Sequence, residues 1–433
     1  MKLKSAATKA LFAGAALVAM SAASPAFAQQ TGEVDALKAQ VKELLSRIEK
    51  LEKAAPAAAP AAGAGSASAA PAAPKDVPLV SASAFKAPQI VQSGNSKLKL
   101  TLTGWVNRMV TYADDGVAND FIFSDNNGAS TRIRFTGVAK LNDEWSAGTD
   151  IELEAISANS RSTGLYTDSG AFAFNERKLE FFIESTRFGR LWVGQGDTAS
   201  NITSEIDLSG TANLGGYADV GATFGGIGIR NKTTKATVGT VNSLFNDLDG
   251  LHREDRVRYD TPTFAGGFVG STSVTQGGAM DAALRYNGKI GTTMVAGAVA
   301  YANSDSRDVA GFDFGNQYNG SVSARLENGF NVTFAAGTRE QKAGFDTNFW
   351  YGKVGYLAKL NDLGNTAFSV DYFTQDDFAV RGAKGKAYGA YVVQVIDALS
   401  TDLYAGVRNH QYDRPNVSYY DALAVMTGAR VRF

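Results

Sequence analysis

The chain has 433 residues, no cysteine, and 42 basic against 43 acidic residues for a formal net charge of −1. This excludes thiol catalysis, thiolate metal sites and disulfides, and no cofactor or nucleic-acid partner is expected. Mean hydropathy is −0.14, which argues against a helical membrane protein but not against a barrel whose strands alternate between lipid and water.

Residues 1–28 carry a basic start (Lys2, Lys4, Lys9), an apolar stretch over 10–20 and the small-residue site Ala26-Phe27-Ala28. The pattern predicts a secretory signal peptide cut before Gln29, with an apolar stretch too short to cross a bilayer as a helix. No later run of about 18 apolar residues offers a second anchor, so a membrane location requires a closed barrel. Residues 29–53 hold a heptad, Val34, Leu37, Val41, Leu44, Ile48 and Leu51, with Glu33 and Lys38, and Arg47 and Glu52, placed to pair between parallel helices. A short self-associating coiled-coil helix is predicted, marginal alone at this length. The Ala/Pro-rich stretch 54–96 reads as a semi-rigid linker.

From 97 to 433 the chain divides into sixteen predicted strands: 97–112, 130–141, 144–157, 174–186, 188–195, 251–261, 264–274, 280–288, 292–301, 317–326, 331–339, 348–360, 366–374, 386–398, 402–409 and 419–433. Glycine (46), phenylalanine (25) and tyrosine (16) are plentiful and proline scarce (9), as many strands with tight turns require. Short links with Asn, Asp, Gly or Pro alternate with long ones, and the longest, 196–250, follows the fifth strand. In the last strand Leu423, Val425, Thr427, Ala429, Val431 and Phe433 share one face, and Ala424, Met426, Gly428, Arg430 and Arg432 the other. A soluble all-β sandwich shares such alternation, but not the strand number, the one-sided long loops or the inward charge.

Strand parity places that charge. Leu98, Leu100 and Leu102 outward put Lys97 and Lys99 inward; Ile133 and Phe135 outward put Arg132 and Arg134 inward; Val431 and Phe433 outward put Arg430 and Arg432 inward. Barrel closure makes these three strands neighbours, so a basic wall is predicted. Arg256 and Arg258 also point inward, as do Asp150, Glu152 and Glu154, and inward Trp105, Trp192 and Arg325 leave room for a solute-binding ladder.

Three stretches carry a family resemblance: Gly189-Arg190-Leu191-Trp192-Val193-Gly194-Gln195-Gly196-Asp197, Arg256-Val257-Arg258-Tyr259-Asp260-Thr261-Pro262 followed by Gly266-Gly267-Phe268, and the terminal Phe433. Over about 97–433 the chain resembles the general porins of Gram-negative outer membranes, most like their alphaproteobacterial branch. The resemblance implies a sixteen-stranded antiparallel transmembrane β-barrel whose long third loop folds into the lumen, assembled as a homotrimer in outer-membrane lipid and lipopolysaccharide by the barrel assembly machinery, with Phe433 as assembly signal. It also implies passive diffusion of small hydrophilic solutes and ions, with no enzymatic activity, and a periplasmic position for the helix at 29–53. The acids of the long loop, Asp197, Glu205, Asp207 and Asp219, would then face the passage across from the basic wall. Of the charged residues, 10 basic and 6 acidic precede Lys97, leaving 32 and 37 in the barrel part, a slight acidic excess.

Other signals are weaker. Gly194 to Ala199 matches a G-x-G-x-x-A fingerprint with no helix pattern after it. His252 and His410 have acids nearby, but no serine sits in a recognisable elbow. Asp125, Asn126 and Asn127 lack calcium-loop spacing and read as a turn. The alternatives to a general pore are a solute-selective channel on the same barrel and a stalked adhesin; in the latter class each chain supplies only a few strands.

Overall fold

The computed structural model describes residues 90–91, 97–167, 172–304, 314–342 and 344–433. The predicted signal peptide and the heptad residues Val34, Leu37, Val41, Leu44, Ile48 and Leu51 lie outside them. Strand β1 (Ile90–Val91) is followed by β2 (Leu98–Asp114), β3 (Asn119–Asp125), β4 (Arg132–Lys140), β5 (Trp145–Ile156), β6 (Ala173–Ser185) and β7 (Gly189–Asp197). A long segment then holds helix α1 (Val220–Phe224), strands β8 (Gly228–Arg230) and β9 (Thr237–Thr240), and helix α2 (Val241–Leu244). After it come β10 (Arg253–Asp260), β11 (Phe268–Thr275), β12 (Met280–Ile290), β13 (Thr293–Asn303), β14 (Phe314–Arg325), β15 (Phe330–Gln341), β16 (Phe345–Asn361), β17 (Gly364–Asp376), β18 (Lys384–Ile396), β19 (Thr401–Asp413) and β20 (Ala422–Arg432).

The sheet closes on itself. Strand β7 pairs with β10 across the long segment, and β2 pairs with β20 from Trp105↔Arg432 to Asp114↔Leu423. Strand β2 also pairs with β4 over its first half and β3 over its second, so β3 and β4 are two halves of one stave. Counted that way, sixteen antiparallel staves form one closed barrel, which leaves no sheet edge facing lipid. Residues 119–125, expected in a connection, form β3 because Phe121 and Phe123 face out while Ile122 faces in. Residues 264–267, expected in a strand, form a turn in which Gly266 and Gly267 take φ of 77° and 147° and Phe264 N–H bonds to the Phe268 carbonyl.

The barrel is inside-out relative to a soluble β-fold. Outward Phe123, Val299, Phe334 and Val370 are more than half exposed, while inward Asn107, Thr111, Ser273, Gln317, Ser323 and Thr333 are buried. A sandwich would hide the apolar set and expose the polar one; lipid outside and polar filling inside account for the reverse. At one end the turns are tight, as at Gly329, whose φ of 92° and the 1.9 Å gap that a Cβ would leave to the Leu357 carbonyl oxygen admit only glycine. The terminal Phe433 lies at that same end, exchanging two backbone hydrogen bonds of 3.0 Å with Gly104.

Candidate pore constriction

Residues 198–252, between β7 and β10, fold into the lumen. Their apolar side chains (Leu214, Phe224, Ile229, Val241, Phe245, Leu248) form one core with inward Phe349, Tyr351, Phe373, Tyr391, Tyr404 and Met426 of the wall. The segment is therefore packed like a domain interior against staves β16–β20. Close approach is needed where Gly216 lies on Tyr391, since a Cβ there would sit 2.2 Å from the ring.

Inward cations on alternate staves hold the segment by its backbone. Arg258 donates to the Asp197 and Thr198 carbonyls at 3.2 and 3.1 Å, Arg285 to those of Ala199 and Asn201 at 2.7 and 2.8 Å, and Arg325 to that of Leu208 at 3.4 Å. Lys353 bonds to the Gly216 carbonyl and pairs with Asp207 at 2.7 Å. Wall hydroxyls continue the series: Ser321 and Ser323 accept from Ile206 and Leu208 N–H at 2.9 Å each.

The opposite side of the lumen, β4 to β7 with the start of β10, is a two-signed lattice. Arg132 pairs with Glu152 at 2.9 Å and Arg134 with Asp150 at 2.5 Å. Arg177 reaches Glu152 at 2.7 Å and Glu154 at 3.7 Å, and Lys178 reaches Asp197 at 2.7 Å. Consecutive residues of a strand point to opposite faces, yet Arg177 and Lys178 both face the lumen. The register slips between Glu152 and Leu153, where Glu152 opposes Lys178 and Leu153 opposes Glu176. Arg177 is the extra residue of this β-bulge, turned inward with its neighbour. Arg253 pairs with Asp197 at 2.8 Å and lies within electrostatic reach of Glu152 on the wall and Glu205 and Asp249 on the segment.

The residues expected at the pore have different fates. Arg132 and Arg134 belong to the lattice just described, and Lys99 is exposed low on β2. Lys97 stands at the foot of the same stave. Arg256 is buried against Glu180. Arg430 and Arg432 share Asp402 at 2.7 and 3.0 Å. Among the acids, Asp197 is held by Lys178, Arg253 and Asn201. Asp207 is turned away from the passage into the wall, where Lys353 neutralises it with both side chains at or below 1% exposure. Asp219 caps α1 through Gly221 N–H and pairs with Arg161 of the β5–β6 connection. Only Glu205 of the four is half-exposed without a side-chain partner among the described residues. Asp247 and Asp249, not singled out from the sequence, lie beside it and share its charge environment.

Burial raises the Glu205 carboxyl well above the ordinary carboxylate range, and neighbouring Asp249 and Asp247 raise it further. Asp247 is raised in the same way by burial, Asp219 and Asp249. For Asp249, burial outweighs hydrogen bonds from Ser204 and Ile202 N–H, and its pKa is pushed up to about 6.

The remaining signals resolve into structure. Trp105 Nε1 donates to the Ala129 carbonyl at 3.0 Å, Trp192 Nε1 to Asp260 at 2.9 Å, and Arg325 is held by the segment. Asn126 is buried and donates to the Leu214 carbonyl at 3.0 Å, joining the break between β3 and β4 to the segment. His410 is fully buried in β19 against Phe224 and Phe245, while His252 ends the segment with an exposed side chain. Gly194 to Ala199 runs from β7 into the segment with no helix directly after it, since the next one, α1, starts only at Val220.

Residues 54–415 match the sequence profile of the Gram-negative porin family. No curated protein sequence matches the chain at a significant level. Among solved structures, the outer membrane channel DcaP of Acinetobacter baumannii superposes with a TM-score of 0.53 at 14% identity, over 80% of this chain and all of that one. The anion-selective porin of Comamonas acidovorans gives 0.51 at 14% identity over 78% of this chain and all of its own, and OmpT of Vibrio cholerae 0.50 at 13% over 80% and all. At these identities the likeness is one of fold. The closed barrel and the profile match together place the chain in the Gram-negative porin family, as an outer-membrane channel for passive diffusion.

Proposed function

We propose that the narrowest passage runs between Glu205, with Asp247 and Asp249 behind it, and the wall of β4–β7 and the start of β10, with Arg132, Arg177 and Arg253. The observation that carries this is the asymmetry of pairing: the wall cations share acids among themselves, whereas Glu205 faces the lumen without a side-chain partner among the described residues. Charge of opposite sign across a water-filled gap sets up a transverse field, which a hydrated polar solute crosses with its dipole aligned and an apolar solute does not. The barrel works without catalytic chemistry in this reading. Trp105, Trp192 and Arg325 are committed to internal contacts, which favours the general pore over a solute-binding ladder.

The assembly we propose is a homotrimer in outer-membrane lipid and lipopolysaccharide, delivered by the barrel assembly machinery. The helix at 29–53 stands in the periplasm, joined by the linker at 54–96 to a barrel spanning 97–433. Single-channel recording in a planar bilayer, with the reversal potential under a salt gradient, tests the reading. Large ohmic steps in threes are expected, with a reversal potential that moves on Glu205→Gln; a small conductance blocked by one solute class would replace it with the selective channel.

A further inference from the structure

The constriction segment does not remain inside the barrel. Its hairpin, β8 and β9, climbs to the rim that carries the long connections, where residues 232–238 are exposed although β8 is buried. Three rim connections grip that hairpin. Arg230 pairs with Asp115 of the β2–β3 turn at 2.7 Å, with side chains 10% and 0% exposed, and stacks 4.1 Å from the Tyr166 ring of the β5–β6 connection. The last connection, 414–421, lies along the hairpin as an added strand fragment. Asn231 forms an antiparallel bridge with Tyr419, Tyr420 N–H donates to the Arg230 carbonyl at 2.9 Å, and Lys232 N–H to that of Ser418 at 2.9 Å. Lys235 closes the contact, its ammonium on the Tyr420 hydroxyl and 4.4 Å from the ring centroid. Below the grip, β8 and β9 run directly into α1 and α2, and Asp219 caps α1.

We propose that residues 414–421 are a strap that restrains the constriction segment from the cell surface, so that how readily the pore closes depends on a contact at the rim. The proposal rests on the reading of residues 198–252 as the constriction. The lower part of the segment is held by buried pairs and an apolar core, whereas at the strap Tyr419 alone is buried and residues 414–418, Lys232 and Lys235 are exposed, so water can replace most of its contacts. It is therefore the part of the assembly whose release takes least energy and whose displacement pulls on both helices.

The chain has no cysteine, so a crosslink can be introduced cleanly. Bridged antiparallel residues have Cα atoms about 4.5–5.5 Å apart, within reach of a disulfide, which makes N231C/Y419C the lock. Full-length protein, Y420A, Y420F and oxidised or reduced N231C/Y419C are compared for closing rate under increasing voltage. Losing one hydrogen bond and the ring contacts of Lys235 and Lys232 predicts closures roughly three- to tenfold more frequent in Y420A, with Y420F between it and the unaltered protein. The oxidised lock closes less often than the same protein after reduction, which controls for any packing loss at Tyr419. Closing rates that are the same in Y420A and in both states of the lock overturn the strap. E205Q run alongside separates the two levels: a shifted reversal potential with unchanged closing rejects the strap alone, and an unmoved potential rejects the constriction reading beneath it.

Discussion

The Lys353 ammonium lies 2.7 Å from the Asp207 carboxylate with neither side chain more than 1% exposed, and the same ammonium bonds to the Ser209 hydroxyl at 3.0 Å and to the Gly216 carbonyl. One cation on stave β16 thus holds the inserted segment at three residues, Asp207, Ser209 and Gly216. Removing one partner of such a pair leaves a buried charge uncompensated, at a cost of about 3–5 kcal/mol. Lys353→Met is expected to lower the thermal unfolding midpoint and to give noisier, larger conductance steps as the segment loosens. Adding Asp207→Leu to it should recover most of the stability, since an apolar pair of similar volume replaces a desolvated ionic one. Heat-modifiability of the folded protein on gels and bilayer recordings read the two effects separately.

Glu205 carries the second prediction. A unit charge roughly 8 Å from a permeating ion in water is worth about 0.5 kcal/mol, or about a twofold change in permeability ratio. At a pH high enough to ionise its raised carboxyl, Glu205→Gln is expected to move the reversal potential toward anion preference by about that factor, and Arg177→Ala to move it the other way. Because Arg177 is paired with Glu152 and Glu154, its removal also frees acids on the wall, and its shift should be the larger. Equal shifts of the same sign would contradict the opposed placement of the two groups.

Much of this site is legible in the sequence, and what is not has physical causes. Period-two alternation is enough to face Arg132, Arg134, Arg256, Arg430 and Arg432 inward, because an exposed apolar partner on the lipid side fixes each strand's phase. Parity fails at Arg177 and Lys178, since a bulge inserts a residue that no local pattern announces. It also says nothing of pairing. Whether an inward arginine faces water or a carboxylate depends on the neighbouring stave, as when Arg430 and Arg432 meet at Asp402. The loop acids are harder still: Asp207 and Glu205 are two residues apart in one irregular segment, and only tertiary packing sends one into the wall and leaves the other at the gap.

The raised carboxyls of the segment predict a pH dependence. Asp249 titrates near 6 in place of its ordinary 3.8, and Glu205 and Asp247 are raised in the same direction. As pH falls through about 6 Asp249 loses its negative charge, so cation preference should decline between pH 7 and 5, and Asp249→Asn should flatten the decline. The stability sign is opposite to that of an ordinary paired carboxylate. A folded pKa above the unfolded one means the native state binds more protons, so this contribution is full below the unfolded value and is lost as pH rises through 6. The segment should be held more firmly at pH 5 than at pH 8, read as fewer closures per second at the lower pH.

The seam makes the last prediction. Phe433 exchanges two backbone hydrogen bonds with Gly104, and a Cβ on Gly104 would sit 2.6 Å from the Phe433 ring. The terminal ring thus lies over a position with no side chain, on the lipid face where the first and last staves meet. Two changes separate its possible roles. Gly104→Leu keeps Phe433 but fills the space beneath its ring, so it should weaken closure of the barrel itself, slowing refolding into detergent micelles as well as assembly in cells. Phe433→Ala leaves the seam's backbone bonds intact and removes only an exposed ring, 60% accessible in the folded protein. If that ring serves recognition during assembly, F433A should refold in micelles at the unaltered rate yet accumulate less folded protein in the outer membrane. Equal losses in both settings would make Phe433 a packing residue of the seam.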